Sequence, residues 1–236
     1  MLLRRITKHV KDQNWFAVGI DFIIVVVGVF MGIQAQAWNS SSNDRNLERQ
    51  YLTRLHDEVS GIIEEDKGSV ARNVADLARM EELSRYLFRD DNSVDLGSEH
   101  CVSLATAHIY GSGTVVPSAI DELLSTGRIL LISNSDIKAS IIDFRQSIVR
   151  FDRLQEDVLS DRVPLATLYP GLITYGAEWD DAVCDFESMR ASSRFKNHFF
   201  DSISRRRAFV STVIVEAQSL RTTLHTQLDL ELGIIQ

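Results

Sequence analysis

Residues 15–38 read WFAVGIDFIIVVVGVFMGIQAQAW. As an α-helix this stretch is about 35 Å long at about 1.5 Å per residue, close to a ~30 Å hydrocarbon core with its interfaces. Its length predicts one membrane span. Trp15 and Trp38 close it at the two ends, where amphipathic aromatic rings favour the headgroup level. Before it, Arg4, Arg5, Lys8 and Lys11 stand against Asp12, a net +3 within the first 14 residues. The positive-inside bias keeps such a cluster in the cytoplasm, so the chain after Trp38 is expected on the outer side.

A second reading of the same residues stays open. A basic start, the apolar run Phe22 to Ile33 and Ala35-Gln36-Ala37 also resemble a secretory signal with an A-x-A cleavage site after Ala37. The uncleaved anchor is preferred, because the apolar zone reaches back to Trp15 and exceeds a usual signal core.

Three residues inside the span bear on association. Asp21 is ionisable within an apolar run, and a lipid-facing carboxylate costs several kcal/mol, so it implies a partner unless it stays wet near the cytoplasmic interface. Gly28 and Gly32 form a GxxxG pair, which strips side-chain bulk from one face and suits a homodimer of closely approaching helices. Glycine is frequent in membrane helices, so the pair alone does not establish a dimer.

The run from Arg4 through Gln34 carries a lysine, Asp12-Gln13-Asn14-Trp15-Phe16-Ala17-Val18-Gly19, Asp21-Phe22 and Val25-Val26-Val27-Gly28-Val29-Phe30. It resembles the N-terminus of a family of single-pass bacterial proteins without an established activity. The likeness extends loosely into Tyr51-Leu52-x-x-Leu55 and the segment from Ser118 to Leu131. What the resemblance implies is a single-pass topology, a Gram-negative inner-membrane setting and a helical outer domain. It implies no catalytic residue.

Beyond the span, Asn39-Ser40-Ser41-Ser42-Asn43 reads as a short polar linker. Leu47, Tyr51, Leu55, Val59, Ile62, Val70, Val74 and Leu77 then recur at three- and four-residue steps, opposite Glu48, Arg49, Asp57, Glu64 and Glu65, which predicts a long amphipathic helix ending near Phe88. Ser118-Ala119-Ile120-Asp121 after Pro117 reads as a capping box for a short helix stopping near Gly127. The quartet Ile129 to Ile132 reads as a buried connector, since no alternating run nearby offers it a strand partner. A second stripe, Ile137, Ile141, Phe144, Ile148, Phe151 and Val158, follows the start signal Ser133-Asn134-Ser135-Asp136. Pro164 and Pro170-Gly171 break the pattern, and a last stripe runs through Phe199, Ile203, Val210, Val213, Ala217, Leu220, Leu224 and Leu228.

Long stripes bury themselves by packing on each other, so the fold expected is all-α: an N-terminal transmembrane helix followed by an antiparallel bundle of long amphipathic helices with short connecting helices. The domain organisation expected is a cytoplasmic stub over 1–14, the span over 15–38, a linker over 39–46 and a periplasmic bundle over 47–236.

Catalytic and metal signatures are scarce. Cys101 and Cys184 would both lie in an oxidising compartment, and pairing them would contribute roughly 4 kcal/mol in the chain-entropy model. Two buried free thiols are the other reading of the same pair. His100, Cys101 and His108 begin a zinc set that no further ligand at standard spacing completes. No histidine follows a glutamate at the Glu-x-x-His spacing of di-iron bundles. Asp91, Ser93 and Asp95 imitate a calcium loop, but Leu96 and Val102 occupy its glycine and glutamate positions. Gly111-Ser112-Gly113 meets Val116 where a dinucleotide fingerprint needs glycine. The acidic run Glu178, Asp180, Asp181, Asp185 and Glu187 reads as a solvated face or a helix start. Residues 39–236 hold 21 Lys and Arg against 31 Asp and Glu, a net −10 that disfavours nucleic acid; Arg205-Arg206-Arg207 is expected in surface ion pairs.

The function expected is that of a non-enzymatic, membrane-anchored interaction or scaffold protein without a cofactor. Its expected partners are the lipid bilayer, a second copy or another envelope protein. A small-molecule sensor signalling laterally through the transmembrane helix is the alternative.

Overall fold

The computed structural model describes residues 15–89, 91, 93–111, 115–178 and 181–234, without the side chains of residues 15–18 and 21. The basic stub, the Trp15 and Asp21 side chains and Asp180 therefore lie outside the described residues. The chain divides into two compact units, Met1–Gln50 and Tyr51–Gln236.

Helix α1 spans Trp15–Arg89, 75 residues without a break. The polar stretch expected as a linker over 39–46 is helical. Asn, Ser and Asp each cost only about 0.5 kcal/mol relative to Ala, and no Gly or Pro interrupts them, so helix propagates through from strong formers on both sides. Within the first unit, α1 is long and apolar enough to cross a membrane. Val29, Phe30 and Ile33 expose about 60% of their surface, and Trp38 exposes 80%.

The second unit is predominantly helical. After α1 come α2 (Ser98–Ala105), α3 (Ser118–Ser125), a 3₁₀ turn (Arg128–Leu131), α4 (Ser135–Ser160) and the short α5 (Leu165–Leu168). A hairpin of β1 (Ile173–Tyr175) and β2 (Ala182–Cys184) follows, antiparallel, with Ile173 opposite Cys184 and Tyr175 opposite Ala182. Then α6 (Phe186–Ala191) leads into α7 (Ser193–Ala208), a wide π-helical segment (Phe209–Glu216) and α8 (Ala217–Leu232).

Helix α4 follows its sequence closely. Ile137, Ile141, Phe144, Ile148, Phe151 and Val158 are all buried, and the Asn134 side chain caps the helix by accepting the N–H groups of Asp136 and Ile137. It packs on α8 and on the π segment. Gly127, at φ +71°, supplies the left-handed turn after α3.

Three local expectations are corrected. Ser118 is not the cap of α3: Pro117 precedes the helix, and the Ser118 hydroxyl donates to Glu58 at 2.6 Å. The orphan N–H of Ala119 is satisfied instead by the second Glu58 oxygen at 2.9 Å, so a carboxylate from α1 caps α3. The quartet after Arg128 is not a buried connector, since only Ile132 of its residues is buried and Leu130 is 81% exposed. On α1 the apolar stripe drifts: Val74 is 44% exposed, and the buried positions after Val59 become Asn73, Met80, Leu83 and Leu87.

Met80, Leu83 and Leu87 belong to a core shared with α2, the hairpin and α7, including Leu104, Ile173, Phe195, Phe199 and Ile203. Cys101 and Cys184 are disulfide-bonded within this core, tying α2 to β2 across 83 residues of sequence.

Candidate functional site

Between Val59 and Met80 the inward face of α1 turns polar. That follows from the sequence itself, because Asp66, Asn73 and Asp76 take positions an unbroken stripe would fill with apolar groups. Their partners come from the last helical stretch. The Arg221 guanidinium donates to Asp66. Arg206 donates to Asn73 Oδ1 at 3.1 Å and to the Ile109 carbonyl at 2.8 Å, and it lies 3.6 Å from an Asp76 oxygen. Ser103 also donates to Asp76, at 2.8 Å. Towards the start of the unit, His56 Nε2 meets Asp229 Oδ1 at 2.9 Å, and His225 Nδ1 meets Asp229 Oδ2 at 3.1 Å. The pairs 56 with 229, 66 with 221 and 73 with 206 show that α1 and the last helical stretch run in opposite directions here.

The two arginines and Asp229 are buried, and their partners Asp66, Asp76 and His225 are partly so. Arg206, Arg221 and Asp229 each expose 5% of their surface or less. Burial pushes both arginine guanidiniums below their ordinary range, against the opposing pull of Asp76 on Arg206 and Asp66 on Arg221. A buried arginine without its carboxylate would be strongly unfavourable, so the layer fixes the register of the two helices.

The π segment lies between the two arginines of the layer. Phe209, Val210 and Val213 are buried within it. Wide turns of this kind are rare in helices and concentrate near functional positions.

A second, more exposed network joins α1 to α3. Arg54 donates to Glu58 at 2.9 Å and to Glu122 at 2.7 Å, and Tyr51 and Arg128 complete the set around Glu122. Burial pushes the Glu58 carboxyl up, but hydrogen bonds from Ser118, the Ala119 N–H and Arg54 outweigh it and hold the group below the usual carboxylate range. Glu122 is held low by the Tyr51 hydroxyl and then by Arg54.

Of the residues singled out from sequence in the second unit, Arg206 enters the polar layer, against the surface ion pair expected of it, and the cysteines, His100 and His108 do not. A Cβ on Gly28 or Gly32 would meet no atom within 4 Å, so both glycines present open helix surface. His100 is held by Glu82 at 2.8 Å, and Cys101, in the disulfide, cannot join it as a metal ligand. His108 lies elsewhere, lining a cleft of about 370 Å³ with Ile109, Thr167, Tyr175 and Glu178. Asp91 accepts the Ser93 N–H at 3.1 Å, a local turn rather than a calcium loop. Asp185 caps α6 through the Ser188 N–H. The three successive arginines diverge: Arg206 enters the layer, while Arg205 and Arg207 face Asp161 and Glu81.

His56, Asp66, Asp76, Arg221, His225 and Asp229 escape a reading by motif. Their one local signal is His225-x-x-x-Asp229, a spacing that places both side chains on one helix face.

No family model, curated protein or solved structure matches this chain. The polar layer therefore has to be read from its own chemistry.

Proposed function

We propose that the chain is a non-enzymatic, single-pass membrane protein whose outer domain is an interaction module. In this reading the basic stub is cytoplasmic, residues 15–38 cross the inner membrane, and residues 47–236 form a periplasmic helical bundle. The observation that carries it is the uncovered apolar surface of α1: residues 22–27 and 29–31 are apolar and exposed on every side of the helix. Apolar surface costs about 25 cal/mol per Å² in water, so a helix apolar all round belongs in lipid. The Cys101–Cys184 bond agrees with an oxidising compartment for the outer domain. The open face at Gly28 and Gly32 suits a second copy or another envelope protein as partner.

The test is crosslinking in membranes followed by mild detergent extraction of the full chain. The proposal expects retention in the membrane after carbonate washing and a crosslinked dimer or hetero-complex that Gly28→Leu with Gly32→Leu weakens. Release by carbonate, or monomer alone at every crosslinker concentration, overturns it.

A sensor is the second reading. It is favoured by the polar layer, since ionisable groups between helices give a bundle an interior that a small ligand can address.

A further inference from the structure

We propose that His56, His225 and Asp229 form a three-ligand site for a divalent late first-row metal ion of the zinc class, with its remaining position open to solvent. The metal-binding chemistry stands independently of the interaction role.

The donor set is apt in kind and in place. Two imidazoles and a carboxylate match the ligand composition of zinc sites that keep a coordination position open. The candidate ligand atoms all lie within 4.8 Å of one another. Tetrahedral bonds of about 2.1 Å separate neighbouring ligand atoms by roughly 3.4 Å. The histidine nitrogens lie 2.9 and 3.1 Å from the Asp229 oxygens, so small side-chain rotations suffice to admit an ion. The imidazole centroids are 4.6 Å apart. Two imidazoles sharing one tetrahedral ion would place their centroids about 5 Å apart.

The supporting groups also fit. His225 and Asp229 stand four residues apart on α8, so one helix face fixes two ligands before α1 adds the third. Asp57 lies 3.3 Å from His56 Nδ1, the ring nitrogen turned away from Asp229. When the metal takes Nε2, the neutral ring carries its proton on Nδ1 and donates it to Asp57, which orients the ligand. At His225 the metal takes Nδ1 and the proton resides on Nε2. Asp229 is buried, whereas the His225 side chain is 25% exposed, so the open position has a route to water. Both cysteines are in the disulfide, so the ligand set is purely nitrogen and oxygen.

The experiment uses the untagged full-length chain in detergent micelles, with Zn²⁺ followed by calorimetry and melting temperature, and Co²⁺ by visible absorption. One Zn²⁺ per chain is expected, with a melting temperature that climbs with the logarithm of free Zn²⁺. Co²⁺ should give a tetrahedral d–d spectrum without a thiolate charge-transfer band. His56→Asn and His225→Asn should each weaken binding at least 100-fold. Asp57→Asn, at an exposed position that does not threaten folding, should weaken it roughly 10-fold. His100→Asn with His108→Asn should leave it unchanged. Absence of Zn²⁺ heat and of any melting shift up to 100 µM free metal overturns the proposal. So does a thiolate band, or affinity that survives Asp57→Asn and both ligand variants.

Discussion

Nη2 of Arg206 donates to Oδ1 of Asn73 at 3.1 Å, joining positions 133 apart in sequence inside a buried layer. The same guanidinium holds the Ile109 carbonyl and stands over the Tyr110 ring, its central carbon 5.8 Å from the centroid. One side chain thus anchors α1, the segment after α2 and α7.

Truncating Arg206 should therefore be severe. Arg206→Ala takes the donor from Asn73 Oδ1 and the Ile109 carbonyl and leaves Asp76 with Arg79 as its cation, and it is expected to cost about 3 kcal/mol, measured by urea unfolding of the outer domain within the full chain. Arg206→Met keeps the apolar stem and should cost less. Equal losses in the two variants would mean that the charge and its hydrogen bonds contribute everything.

The drift of the α1 stripe makes a paired prediction. Leu83→Ala empties a fully buried position and should destabilise by about 3 kcal/mol, whereas Val74→Ala, on the exposed face, should change stability by less than about 0.5 kcal/mol. Comparable effects at the two positions would contradict the observed phase of the helix.

Glu58 gives a pH signature. Its folded-state pKa is held below the ordinary glutamate value, so its contribution is complete above about pH 4.5 and fades as pH falls through the lowered folded value. The urea midpoint of Glu58→Gln should lie below wild type at pH 7, and the gap should narrow as pH falls from about 4.5 through the lowered folded value, where wild-type Glu58 becomes protonated too. A gap that did not narrow at any pH below about 4.5 would assign the loss to packing.

The disulfide closes a long loop, with 83 residues separating Cys101 from Cys184. Replacing both by serine should lower stability by roughly 4 kcal/mol in the chain-entropy model, read as a shift in the denaturation midpoint without reductant. An unchanged midpoint would show that the reduced chain is already compact in this region.

Parts of this fold are legible residue by residue. The α4 stripe and the Asn134 cap follow from periodicity and from a side chain that can accept two orphan N–H groups. The β1–β2 hairpin does not, because three-residue strands are too short to show alternation and the hairpin is tied to α2 through Cys184. The Ser118 sequence has the form of a capping box, yet tertiary context assigns its hydroxyl to Glu58, which no local pattern contains. The polar layer is the least legible feature. Asp66 and Asp76 look like solvated charges until Arg221 and Arg206, 155 and 130 positions later, arrive opposite them. His225 and Asp229 sit at a visible spacing, but His56 lies 173 positions from Asp229.

The Cys101–Cys184 bond also partitions the outer domain topologically. Helix α3, the 3₁₀ turn, α4, α5 and β1 sit inside a covalent ring, while residues 51–100 and 185–234 leave it as two free arms. Every pair of the polar layer that links α1 to the last helical stretch, 56 with 229, 66 with 221 and 73 with 206, joins one arm to the other. Arm is joined to arm by these ionic and hydrogen-bonded pairs and by the apolar core that Met80, Leu83 and Leu87 share with Phe195, Phe199 and Ile203, so no covalent bond links one arm directly to the other.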